Sequence, residues 1–134
     1  KKISGIKRHV AVDSQGLPHA FGITAAHVTD RRGAIEILTR AQENLLLVKK
    51  VLVDGAYTGE DFAITIKQLM DAEVEIAKRC DIHTFLVIPK RWVVERSFSW
   101  LEKCRRLWKN CERLISSSLA MLHLAFIRIL LNRL

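Results

Sequence analysis

The chain has 134 residues and a formal net charge of +8, with 49% of its residues apolar and 27% charged. That length suits one domain, residues 1–134, with a real hydrophobic core, and the balance excludes a disordered chain. No apolar run reaches 18 residues and no secretory leader precedes the first charged residues, so a cytoplasmic protein without a membrane partner is expected.

Taken in order, residues 6–13 and 17–24 read as two strands flanking Asp13-Ser-Gln-Gly16. Asp at the first turn position and Gly at the fourth favour a type I turn, hence a hairpin. The turn explains Asp13 more economically than catalysis does. Lys7, Arg8 and His9 alternate sides along the first strand, so they cannot all follow one phosphate track. A helix is expected over residues 31–41, with Asp30 as its N-cap. Residues 50–54, KVLVD, form a short run rich in branched apolar residues, as expected of a strand buried on both faces. It ends at Asp54, before a turn-rich DGAYTG and a helix carrying Phe62, Ile66 and Leu69 on one side. A carboxylate at the carboxyl end of a strand and ahead of a helix stands where α/β sheets place ligand chemistry, although a turn cap needs the same residue. Further strands are expected over 74–78 and 85–88, with Pro89 marking entry to a helix.

That helix, within 91–110 (RWVVERSFSWLEKCRRLWKN), has Val94, Phe98 and Leu101 at core spacing. Glu95, Ser99 and Glu102 follow at the same spacing one position on, with Arg91 and Arg106 a turn to either side. Helical spacing alone fits a solvated face with i,i+4 ion pairs. After it, Ser116-Ser-Ser118 reads as an N-cap, and Leu119, Leu122, Phe126, Ile129 and Leu130 line one side of a last helix. The three cysteines and five histidines show no metal-ligand spacing.

Charge is unevenly placed. Lys1, Lys2, Lys7 and Arg8 give +4 in the first nine residues, and residues 90–134 hold ten Lys/Arg against Glu95, Glu102 and Glu112, whereas 10–89 carries −3. Basic ends around an acidic middle suit a phosphate-rich partner held over carboxylates, or simply a well-solvated surface. From residues alone the chain is a basic mixed α/β domain in which a metal site is conceivable.

The wording RWVVERSFSWL followed by RRL resembles the C-terminal catalytic signature of bacterial insertion-sequence transposases of the DDE type, the Y-R-E-K group. That signature places Tyr, Arg, Glu and Lys at a register landing here on Ile88, Arg91, Glu95 and Glu102. Arginine and glutamate fit; Ile88 stands for tyrosine, and Glu102 for lysine with Lys103 beside it. KKISGIKRHVAVD, HVTDRRGA and DGAY after VLV are similar to the same family, so the resemblance runs through nearly all of the chain. It implies a ribonuclease H-like α/β fold, a mixed sheet flanked by helices, and phosphodiester cleavage and strand transfer at insertion-sequence ends and target DNA.

By that resemblance, Asp54 and Glu95 are catalytic carboxylates holding Mg2+ or Mn2+, hard ions suited to oxygen ligands. Lys7, Arg8, Arg91, Arg96, Lys103 and Arg106 are candidate DNA contacts, and self-association is left open. The family's first aspartate lies on a strand upstream of the K-x-x-G-x-K-R-H run. The chain, which starts at Lys1 after that point, is therefore expected to be the C-terminal part of the catalytic domain, lacking the opening strand and inactive in isolation. The alternative is a catalytically silent remnant that only binds DNA.

Overall fold

The computed structural model describes residues 5–77 and 91–133, the side chain of Arg91 excepted. The strand expected over 85–88, Ile88 and Pro89 lie outside those residues.

The hairpin forms as expected. Strand β1 (Ile6–Val12) pairs antiparallel with β2 (Pro18–Ala25), with an irregularity between Ala11 and Val12. Asp13 Oδ1 accepts from the backbone N–H of Gln15 at 2.8 Å and of Leu17 at 2.9 Å, and Gly16 adopts φ +82°, which a side chain would resist. Burial pushes the Asp13 carboxyl up, but those two N–H groups and His19 more than offset it and hold it below its ordinary value. Asp13 is a turn residue.

The two faces of the hairpin feed two cores. Ala11 and Ala20 share one face with Lys7, His9, Gly22 and Thr24, whereas Ile6, Val10, Phe21 and Ile23 point the other way. Against the first face lies α1 (Asp30–Arg40). Its cap is Thr29, whose side chain accepts from the Arg32 N–H, and not Asp30 as expected. Asp30 is instead the first helical residue, and Lys7 Nζ draws its carboxylate away at 3.0 Å. Two glycines let α1 come close. A Cβ on Gly22 would stand 2.6 Å from Ile37 Cγ2, and one on Gly33 would collide with the His9 ring.

Beside α1 sits a parallel unit: β3 (Lys50–Val53), a 3-10 turn (Gly55–Tyr57), α2 (Glu60–Met70) and β4 (Glu73–Ile76). Phe62, Ile66 and Met70 of α2 join Ile37, Leu38 and Leu45 in the first core, with Leu69 half-buried at its margin. Contrary to expectation, β3 is not buried on both faces. Val51 and Val53 turn half inward, Lys50 and Leu52 outward, because among the described residues helices cover only one side.

The second core is closed by C-terminal helices. The helix expected to run through 91–110 stops early, as α3 (Arg91–Glu102); the Cys104 N–H bonds back to the Leu101 carbonyl and a short α4 (Arg105–Trp108) follows. The buried face of α3 is also one step away from the expected one. Val93 is 3% exposed, Ser97 0% and Leu101 1%, whereas Val94 is 36% exposed and Phe98 half-buried. The last helix, α5 (Ile115–Leu131), packs Leu122, Ala125 and Phe126 under β2 and α3. Its three serines fall inside the first turn after Leu114 and do not cap it; Ser118 Oγ donates to Asn110 Oδ1 at 2.8 Å. The expected α/β class holds, with the described strands in two two-stranded sheets.

Gly33→Ala tests the close packing of α1. Alanine gains about 1 kcal/mol over glycine in a helix interior, but overpacking a buried ring costs about 1–3 kcal/mol. Because the new methyl meets the buried His9 ring rather than a flexible side-chain end, the clash wins and urea unfolding shows a lower midpoint. A stabilised variant would show that α1 sits farther from the hairpin.

His9 carries a pH prediction. Its Nε2 lies 2.8 Å from Thr24 Oγ1, and burial lowers its pKa from 6.5; Lys7 acts the same way, while Asp30 and Glu36 oppose it. The unfolded chain therefore takes up a proton near pH 6.5, and the folded chain only at lower pH. The stability from neutral His9 is intact above the unfolded value and is lost as pH falls towards the folded one. Between pH 7.5 and about 5.5 the melting temperature of the wild type drops more than that of His9→Gln; equal drops would show that His9 carries no linkage.

Candidate active site and nucleic-acid surface

Asp54 stands where β3 ends. Its extended backbone turns into the 3-10 segment, Oδ1 accepts from the Ala56 N–H at 2.9 Å, and the residue is exposed. Oδ2 has no hydrogen-bond partner among the described residues. The capping role and an open carboxylate oxygen therefore coexist. Arg31 of α1 donates to the Ala56 carbonyl at 3.1 Å and so ties the turn to α1. Next to it, the half-buried Tyr57 has its hydroxyl pushed up, chiefly by burial and then by the negative charges of Asp30 and Asp54. Asp30 thus shares the neighbourhood of Asp54, which sequence reading missed; only its closeness to the cap position hinted at a place at the start of α1.

Glu95 lies on the outward side of α3, exposed between Val94 and the half-buried Arg96. The helix is oriented by its buried side. Ser97 Oγ is 2.7 Å from the Gly16 carbonyl and 3.0 Å from that of Val93, so its hydroxyl proton is always held. Gly16 fits there because a Cβ would stand 2.9 Å from Ser97 Oγ. Asp54 is thereby grouped with α1 and Glu95 with α3, which packs on β1, α4 and α5. Among the described residues no group of three or more His, Cys, Asp or Glu side chains stands close enough to hold a metal ion.

The candidate DNA contacts divide sharply. Lys7 is bound to Asp30 and to the Val28 carbonyl, and Arg8 donates to the Leu107 carbonyl at 2.7 Å. Arg106 pairs with Glu112 at 2.6 Å. Arg96 is half-buried, donates to the Gln15 carbonyl at 2.5 Å, and lies 4.5 Å over the Trp92 ring and 5.0 Å over the Trp100 ring. These four are structural cations first. Arg91 opens α3, and Lys103 follows its end, exposed and with no ion pair or side-chain hydrogen bond among the described residues. Two cations of the same surface were missed by sequence reading, Arg128 on α5 and Arg133 just past its end, because that segment was read only for its apolar side.

Arg96→Ala removes a backbone-directed bond worth about 1 kcal/mol and two stacking contacts worth roughly 0.5–1 kcal/mol each. Chemical denaturation should show a loss of about 2 kcal/mol by that reckoning. A variant of unchanged stability would mean that Arg96 is held by neither contact.

Residues 1–130 match the transposase DDE domain family. Over 118 residues the chain is 31% identical to a Burkholderia cepacia protein named as a transposase for insertion sequence element IS402, which covers 81% of this chain and 54% of that relative. Over 124 residues it is 28% identical to a Brucella ovis protein named as a transposase for insertion sequence element IS6501, covering 89% of this chain and 92% of that relative. The chain thus spans about half the length of the first relative and most of the second. No solved structure matches. The match reaches from the approach to the hairpin into the last turn of α5, and with it the chain belongs to the transposase DDE domain family of bacterial insertion sequences.

Proposed function

We propose that the chain is the C-terminal part of a ribonuclease H-like transposase catalytic domain that cleaves DNA at insertion-sequence ends and joins the cut strand to target DNA. The observation that carries the reading is the family match over residues 1–130, which takes in both Asp54 and Glu95. Asp54 supports it further, being exposed at the carboxyl end of β3 with one carboxylate oxygen in a cap and the other open.

In this reading Asp54 and Glu95 supply two of three carboxylates, and the third comes from a strand encoded upstream of Lys1. Carboxylate oxygens fit Mg2+ or Mn2+. Such ions lower the cost of forming the attacking hydroxide or 3′-oxyanion and of releasing the leaving oxygen. Asp54 has a second duty, because its cap fixes the turn that Arg31 grips. The protein works on DNA, which its basic C-terminal third attracts through phosphate charge.

The test uses this chain and a longer one extended by the upstream coding sequence. The chain alone binds duplex DNA and does not nick it with Mg2+ or Mn2+; the extended chain cleaves. Asp54→Asn keeps an oxygen for the Ala56 N–H, so the fold survives with a stability change of no more than a few tenths of a kcal/mol. Asp54→Asn and Glu95→Gln each abolish cleavage by the extended chain and leave DNA binding in place. Cleavage that persists in both variants would overturn the assignment, and an upstream sequence with no Asp-bearing strand would favour the silent, DNA-binding remnant.

A further inference from the structure

The ends of α3 and α5 meet in a cleft of ≈ 210 Å3 lined by Trp100, Lys103, Cys104, Arg128, Ile129, Asn132 and Arg133. We propose that this cleft is a separate contact for a DNA backbone phosphate, apart from the Asp54 and Glu95 carboxylates. The inference rests on the DNA-directed function proposed above.

Charge comes first. Among the described residues, three cations line the cleft and no carboxylate does. Two helix C-termini also point there, each worth about −0.5 charge, which leaves roughly +2 uncompensated. Neither Lys103 nor Arg128 has an ion pair or a side-chain hydrogen bond among the described residues, unlike Lys7, Arg8, Arg96 and Arg106. One ammonium, two guanidiniums and the Asn132 amide make the cleft rich in donors and poor in acceptors. A phosphodiester answers that, with one negative charge and several acceptor oxygens. The volume is about seven water volumes at ~30 Å3 each, enough for a phosphate group with some of its hydration.

The stacking order argues for backbone rather than base. Arg133 lies 3.6 Å over the Trp100 ring, and Arg96 lies 5.0 Å from the same ring and 4.5 Å from Trp92. Trp92, Arg96, Trp100 and Arg133 therefore form one ladder along α3 to the end of α5. Two guanidiniums already lie against the Trp100 ring, which makes it a poor platform for a base. The same ladder holds Arg133 in place before any ligand arrives, which lowers the ordering cost of contact.

Duplex binding by the chain Lys1–Leu134 is followed by fluorescence anisotropy between 50 and 200 mM salt. Each phosphate contact adds about −0.9 to the log–log salt slope. Lys103→Gln with Arg128→Gln should flatten the slope by up to about 1.8, while Arg128→Lys keeps it and Arg40→Gln, in the Glu36 ion pair, leaves it unchanged. Both cleft residues are exposed, so the double variant should fold; if it does not, either single change carries the test with an expected loss of about 0.9. A double variant with the wild-type slope overturns the cleft and leaves the DNA reading standing. A wild-type slope near zero overturns both. Inorganic phosphate that raises the melting temperature of the wild type but not of the double variant, with the DNA slope unchanged, would make the cleft a free-anion site and overturn the backbone assignment.

Discussion

The structure depends on how closely α1 can approach the hairpin. Gly22 lets Ile37 reach the strand surface, and Gly33 lets the helix backbone reach the His9 ring. With Ala11 and Ala20 beside them, that strand face beyond Lys7 is built from small side chains or from His9 and Thr24, which satisfy each other at 2.8 Å. A helix seated this low can bring Asp30 to Lys7 and Arg31 to the turn after Asp54 at once. The position of the candidate carboxylate is therefore inherited from two missing methyl groups.

On the opposite face the docking is polar at one end and apolar at the other. The Gly16 carbonyl would be left without a donor under α3 were it not for Ser97, and an unpaired buried carbonyl costs more than one hydrogen bond gains. Leu101, Leu122 and Phe126 then close the core over Ile23. The Ser97 contact sets the rotation of α3, and that rotation puts Glu95 outward. Arg96, lodged between two tryptophans, holds the same setting from the rim.

Much of this was legible in the residues. The turn at Asp13–Gly16, the α/β class, α2 with its Phe62 and Ile66 side, and the apolar side of α5, the exposed Leu130 excepted, all follow from local pattern. The phase of α3 did not. A search for apolar spacing favours Val94 and Phe98, because nothing in the sequence says that a serine will be buried to satisfy a carbonyl 81 residues away. The exposure of β3 was missed for a similar reason, since a run of branched residues does not reveal how many helices cover it. The candidacy of Asp54 and Glu95 came from wording and not from spacing. The occupation of Lys7, Arg8, Arg96 and Arg106 by protein partners is purely tertiary.

The two faces of the hairpin have different histories along the chain. The α1 face is covered by residues that follow within a few dozen positions, whereas the other face waits for partners such as Ser97, 81 residues from Gly16, and Leu107, 99 residues from Arg8. Closing such long loops is entropically slow. During synthesis the hairpin and the βαβ unit leave the ribosome before α3, α4 and α5, the helices that cover Ile6, Val10, Phe21 and Ile23. The nascent chain thus carries a sticky half-core for as long as translation of the C-terminal helices lasts. Release from that state coincides with arrival of the helix that bears Glu95, so a chain cut short before α3 exposes apolar surface that quality control recognises.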